Sequence, residues 1–324
     1  MINIKIEGYE SASRKRRMRR KKIAISIIVI FLCLTAIFLL AVPALIMSDM
    51  VNRHVDFNEV HAAEKFGLTS EKLTLKTDDG LNVVAYEVNA EKPKAVVIFL
   101  SGIHNPSVTS FFGHAKMLKE NGYGSILLEM RAHGESEGDV ISLGYKEYLD
   151  TKAVVDYIED KQQDMPIIVY GLSMGGATAI NSIGEIDEID GLISMSAYSS
   201  WEDVFYDNML SSGAPKLYAD IQKPFVKIYS VFKYGLRSFN ISPMNEIKKL
   251  RGRPALIIHS REDSQVSYRN FERIMENAPY HVESWVKEGD FHFILEDDNY
   301  FFNPIEDEEY SSRIITFLDS NFSD

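Results

Sequence analysis

The hydrophobic positions of the chain follow three patterns in turn. The first is a block. Ile23 to Met47 is 25 residues without one charged side chain. As a helix it is ~37 Å long, enough to cross a ~30 Å hydrocarbon core with some tilt. The second is irregular. Between Ser48 and Phe66 the apolar residues Val51, Val55, Phe57 and Val60 keep no period, which reads as a polar, partly helical stalk. The third starts at Glu71 with alternating runs. Lys72–Lys76, the turn Thr77-Asp78-Asp79-Gly80 and Leu81–Val88 predict a β-hairpin.

From there strands and helices alternate. Ala95–Leu100, Ser125–Met130, Ile167–Tyr170, Leu192–Met195 and Ala255–His259 are continuous apolar runs, the pattern of parallel strands covered on both faces. Helical patterns lie near Thr109–Glu120, Tyr145–Asp160 and Ala177–Ile183. This order predicts an α/β fold with a doubly wound, mostly parallel sheet. Ligands in such sheets bind beyond the carboxyl ends of the strands. One stretch breaks the alternation. Residues 198–250 are of helical character and rich in aromatics, among them Trp201, Phe205, Tyr234 and Phe239. A plain crossover needs only about a dozen residues, so the excess reads as an inserted helical cap. Its aromatics are assigned either to an apolar substrate pocket or to the cap's own core.

Charge changes the picture at one place. The net charge is -12, yet eight of the nine residues from Arg14 to Lys22 are Lys or Arg. The rest of the chain holds 27 basic against 47 acidic residues. An acidic body repels nucleic acid, and the basic run reads as the cytoplasmic flank of a positive-inside anchor. The organisation expected is therefore a basic tail over 1–22, a transmembrane anchor over 23–47, a stalk over 48–66 and a catalytic domain over 67–324, held outside the cytoplasm at the cell membrane. A cleaved signal peptide ending near Val42-Pro43-Ala44 is the rival, although the apolar stretch exceeds the usual h-region. Pro43 is expected to kink or end the helix. The single cysteine, Cys33, lies in the anchor. The body therefore has no disulfide, thiolate metal site or cysteine nucleophile.

The sharpest chemical feature is Gly171-Leu172-Ser173-Met174-Gly175, between the apolar strand Ile167–Tyr170 and a small-residue helix opening Ala177-Thr178-Ala179. A serine on a tight strand-to-helix turn needs neighbours without side chains two before and two after, so that the backbone can pass closely. The turn lifts the hydroxyl clear of the sheet, beside a helix N-terminus that favours developing negative charge. Serine also needs a base, and the base an orienting carboxylate. Asp263 stands after the strand Ala255–His259, with Glu262 as its local rival. His292 follows the strand-like His281–Val286. Of eight histidines, His292 alone follows Ser173 and Asp263 beyond the last predicted strand. His104 and His259 are the alternatives, and His54, His61, His114, His133 and His281 are not assigned to the site. The backbone N–H groups of Met174 and of Ile103 are the expected oxyanion donors.

These segments resemble the α/β-hydrolase superfamily, in its lidded monoacylglycerol-lipase-like and serine-aminopeptidase-like branch, which includes bacterial membrane-anchored hydrolases. The resemblance spans about Leu68 to Asp324. It is carried by Gly171–Gly176, by Arg131-Ala132-His133-Gly134-Glu135-Ser136, by His259–Val266, by Gly289–His292 and by Ser242–Leu250. It implies that His133 and Gly134 are turn residues and not catalytic. Two departures stand out: Ser101-Gly102 and His259-Ser260 occupy places where the family has His-Gly.

The reading is a serine hydrolase acting on an ester, thioester or amide through Ser173, His292 and Asp263, with an acyl ester or lipid-derived substrate favoured. A serine peptidase of the same fold is the runner-up. A catalytically silent surface binding module is the rival of another class. The acidic segments Glu296-Asp297-Asp298 and Glu306–Glu309 are either a preference for cationic substrates or a solvated face. No cofactor, metal or nucleotide motif is present in the sequence.

Overall fold

The computed structural model describes residues 2–104, 106–162 and 164–323, with the side chains of 2–13 and of Asp298 left aside. The chain forms two compact units, Met1–Met47 and Ser48–Asp324. Helix α1, Ile2–Val51, runs on past Pro43 instead of ending there. Among the described residues, its stretch Arg14–Val51 is the helix long and apolar enough to cross a membrane.

The second unit is built on one eight-stranded sheet in the order β1-β2-β4-β3-β5-β6-β7-β8. Its strands are β1 (Glu71–Lys76), β2 (Asn82–Val88), β3 (Val96–Leu100), β4 (Gly124–Glu129), β5 (Ile167–Leu172), β6 (Gly191–Met195), β7 (Ala255–Ser260) and β8 (Glu283–Lys287). The hairpin β1–β2 is antiparallel, with Lys76 opposite Asn82, and β2 also pairs antiparallel with β4. All pairings from β4 to β8 are parallel. Strands β3 to β7 are buried along their whole length, which explains their unbroken apolar runs.

Helices α2 (Phe112–Glu120), α3 (Tyr148–Lys161), α4 (Met174–Glu185), α8 (Arg269–Met275) and α9 (Glu308–Phe322) cover the sheet. The cap consists of α5 (Trp201–Ser211), α6 (Lys216–Tyr234) and the short α7 (Pro243–Glu246). Trp201, Phe205 and Tyr234 are buried, whereas Phe232 and Phe239 face solvent. The cap aromatics are thus divided between its core and its outer surface.

Two departures from the sequence reading concern packing. Residues 48–66 do not project as a stalk. Val55 donates to the Ala132 carbonyl and accepts from the Gly134 N–H, both at under 3 Å, and the His54 ring meets the Gly138 and Gly134 carbonyls. Backbone pairing of this kind leaves no hydrophobic period to read. The acidic run Glu306–Glu309 is largely a helix start. Asp307 caps α9 by accepting from the Tyr310 N–H, and Glu308 and Glu309 fill its first turn, where they complement the helix dipole.

The candidate active site

Strand order places the site. The chain passes from β3 to β4 on one side, then crosses back to β5 on the other. The direction of winding reverses between β3 and β5, and the crevice beyond their carboxyl ends is where doubly wound sheets bind ligands. The loop Ser101–His104 follows β3, and Ser173 follows β5.

Ser173 has φ 57° and ψ -116°, a left-handed conformation that a serine adopts only under constraint. The constraint is close packing. A Cβ on Gly171 would lie 2.0 Å from the Gly175 carbonyl oxygen, and one on Gly175 would lie 2.2 Å from that of Leu100. Both obstacles are backbone. The absent side chains let α4 press its first turn against the end of β3, so the loop bearing Ile103 borders the elbow. Met174 is the first residue of α4, so its N–H has no intrahelical acceptor.

Asp263 and His292 meet as expected. His292 Nδ1 donates to Asp263 Oδ2 at 2.8 Å, since an ionised carboxylate can only accept. That leaves Nε2 as the basic nitrogen. The other carboxylate oxygen accepts from the Gln265 and Val266 N–H groups at 2.9 Å. Burial pushes the Asp263 carboxyl up, but the His292 hydrogen bond and charge and the Val266 N–H outweigh it and hold it below the ordinary carboxylate value. Glu262 takes no part in this pairing and is exposed. Among the described residues no hydrogen bond joins the Ser173 hydroxyl to His292.

The two alternative bases are occupied. His259 is buried with Nε2 donating to the Val266 carbonyl at 2.9 Å, and desolvation lowers its pKa. It braces the acid loop from behind. His104 Nε2 meets the Met50 carbonyl at 3.1 Å. His133 is buried with its two ring nitrogens on the carbonyls of Arg131 and Ile103. It therefore steadies the loop after β3, a positioning contact that its turn motif did not announce.

Two serines to which the sequence assigns no role in the site tie the parts together. Ser173 donates its N–H to the Met195 carbonyl at 2.8 Å, and the next residue, Ser196, donates its hydroxyl to the His292 carbonyl at 2.7 Å. Adjacent residues at the end of β6 thus hold the Ser173 backbone and the His292 backbone. Ser260, one of the departures from the family pattern, donates to the Gly289 carbonyl and accepts from the Phe291 N–H at 3.0 Å. It closes the β7 end onto the base loop. The family departure was the only sequence signal for it; Ser196 had none. Beside His292 lies an open groove of about 700 Å³, whose walls include Asp290, Glu296 and Asp297.

The family model described as serine aminopeptidase, S33, matches residues 91–249. The chain is 24% identical over 235 residues to the uncharacterized protein YqkD of Bacillus subtilis (strain 168), covering 70% of this chain and 74% of that one. An uncharacterized membrane protein of Saccharomyces cerevisiae is 26% identical over 145 residues, covering 42% of this chain and 48% of its own length. Among solved structures, an esterase of Pyrococcus furiosus superposes with TM-score 0.64 at 22% identity, covering 83% of this chain and 99% of that one. An acylaminoacyl peptidase of Pyrococcus horikoshii superposes at 0.57 with 14% identity, covering 79% of this chain and 42% of that one. The parallel sheet, the elbow serine and these matches together show the α/β-hydrolase fold.

Proposed function

We propose that the protein is a membrane-anchored serine hydrolase that cleaves acyl esters. The observation that carries this reading is the strained Ser173 elbow on the same sheet edge as a base, His292, oriented by a buried Asp263. Ser173 attacks the carbonyl carbon, and His292 Nε2 takes the hydroxyl proton and returns it to the leaving group. Asp263 fixes the imidazole tautomer and stabilises the imidazolium. Met174 N–H and Ile103 N–H face the developing oxyanion, each such donor lowering the barrier by about 3–4 kcal/mol. Water then attacks the acyl-enzyme with His292 again as base. The serine–base contact tightens when substrate fills the site, as is common in such enzymes.

Arg14–Lys22 keeps the N-terminus in the cytoplasm and α1 crosses the membrane, so the catalytic domain works outside. Protease added to intact cells then digests the body; a protected body contradicts that topology. A second reading, a peptidase acting near a cationic group, is favoured by the acidic wall of the groove beside His292. Assaying p-nitrophenyl acyl esters of rising chain length against aminoacyl-nitroanilides separates the two. Faster turnover of the esters, abolished in Ser173→Ala, supports the ester reading. Preference for the nitroanilides overturns it.

A further inference from the structure

The segment that leaves α1 is bonded to the loops around the site. Met50 and Val51 are the last two residues of α1. The Met50 carbonyl accepts from His104 Nε2 at 3.1 Å, and the Val51 carbonyl accepts from the Ile141 N–H at 2.8 Å. Val55 pairs alongside His133, donating its N–H to the Ala132 carbonyl at 2.8 Å and accepting from the Gly134 N–H at 2.9 Å. Two residues on, the Phe57 ring stacks on the His133 ring, with centroids 6.1 Å apart. Val51 and Val55 are buried, and Phe57 is half-buried.

These contacts converge on the loop after β3. Ala132 stands at φ 61°, a left-handed conformation that persists only where its surroundings hold it. The turn pairs part of its own backbone, with the Ala132 N–H on the Glu137 carbonyl and the His133 N–H on that of Met130. The Ala132 carbonyl and the Gly134 N–H, on either side of His133, are taken by Val55. Val55 and Phe57 thus fix His133, whose ring meets the Ile103 carbonyl. Ile103 carries the proposed oxyanion N–H at its other end, and its neighbour His104 is the residue bonded to Met50. Two separate contacts therefore run from residues 50–57 to adjacent residues of the oxyanion loop. A donor lowers the barrier of acyl transfer only when it is already aimed at the place where charge develops.

We infer that residues 50–57 are a positioning segment of the catalytic site, which aims the Ile103 N–H at the oxyanion through His133 and His104. Docked, the segment completes the oxyanion hole. Displaced, it leaves Ser173, Asp263 and His292 in place but the oxyanion with one donor fewer. The inference rests on the hydrolase reading above. The test uses the full chain in detergent micelles, with a p-nitrophenyl ester as substrate and an alkyl trifluoromethyl ketone as probe. The serine oxygen adds to the ketone carbon, its proton passes to His292, and the carbonyl oxygen becomes the oxyanion, so the affinity of the ketone reports oxyanion stabilisation. Phe57→Ala and His104→Ala should each lower kcat about ten-fold, keep KM within about two-fold, and weaken the ketone by the same factor as kcat/KM. The conservative Phe57→Tyr and His104→Gln, which keep a ring and a donor, should recover most of the loss. Asn58→Ala, at an exposed neighbour, should change neither quantity. Wild-type kinetics in both alanine variants overturn the inference alone, as does a lower Tm with kcat intact, or a fall in kcat with the ketone affinity unchanged. An inert wild type overturns the hydrolase reading and the inference with it.

Discussion

The Ser196 hydroxyl donates to the carbonyl of His292 at 2.7 Å, while the Ser196 backbone itself is held at φ 50°. The residue thus spends a strained conformation on holding the base loop. Ser196→Ala should lower kcat about ten-fold through a displaced His292 and leave KM within about two-fold, since only an interaction that orients the base is lost. Steady-state kinetics on a p-nitrophenyl ester check this. An unchanged kcat would show that the base loop holds itself.

Ser260→Ala leaves the partly buried Phe291 N–H and Gly289 carbonyl with one partner fewer. An unpaired buried donor costs about 1–3 kcal/mol, so the urea midpoint should fall and kcat should fall with it. A drop in stability with full kcat would confine Ser260 to a structural role.

Asp263→Asn keeps the shape of the acid loop but permits the wrong imidazole tautomer. The fold should survive, and kcat should fall about 10,000-fold. Glu262→Gln, at the exposed neighbour, should change kcat by less than about two-fold. Equal losses at both positions would reassign the acid.

Gly175→Ala places a methyl group where the Leu100 carbonyl oxygen sits, 2.2 Å away. Backbone cannot rotate aside as a side chain can, so the substitution should cost at least about 3 kcal/mol and lower Tm by roughly 6 °C or more. A wild-type Tm would mean that the elbow is not packed against β3 in solution.

His54 ties the 48–66 segment to the domain. Its pKa is raised, foremost by the Gly138 carbonyl on Nδ1, with burial opposing and the Gly134 carbonyl adding to the rise. Only the protonated ring donates from both nitrogens. The folded value lies above the unfolded ~6.5, so the stabilisation is complete below that pH and is lost as pH rises through the folded pKa. The Tm difference between wild type and His54→Ala should therefore be larger at pH 6 than at pH 9. A difference that grows with pH would contradict the assignment.

The sheet, the elbow and the Asp263–His292 pair were legible in the sequence for physical reasons. Strands buried on both faces read as continuous apolar runs, and a close backbone crossing demands Gly171 and Gly175. The acid and base follow the nucleophile beyond successive strand ends. What escaped depends on juxtaposition. Ser196 and Ser260 are ordinary serines until the fold sets them against His292 and Phe291. Helix α9 begins with acidic residues that read as a solvated tract, although Tyr310, Ile314, Phe317, Leu318 and Phe322 form its buried face. Residues 48–66 bind through the Val55 backbone and the His54 ring, neither of which sets a hydrophobic period.

In the proposed reaction Ser173 is the activated nucleophile. Labelling the full-length protein with a fluorophosphonate probe, followed by peptide mass spectrometry, tests it most directly. One adduct on Ser173, none in Ser173→Ala, and much slower labelling in Asp263→Asn are expected. An adduct on another residue, equal labelling of Ser173→Ala, or an unreactive wild type would contradict it.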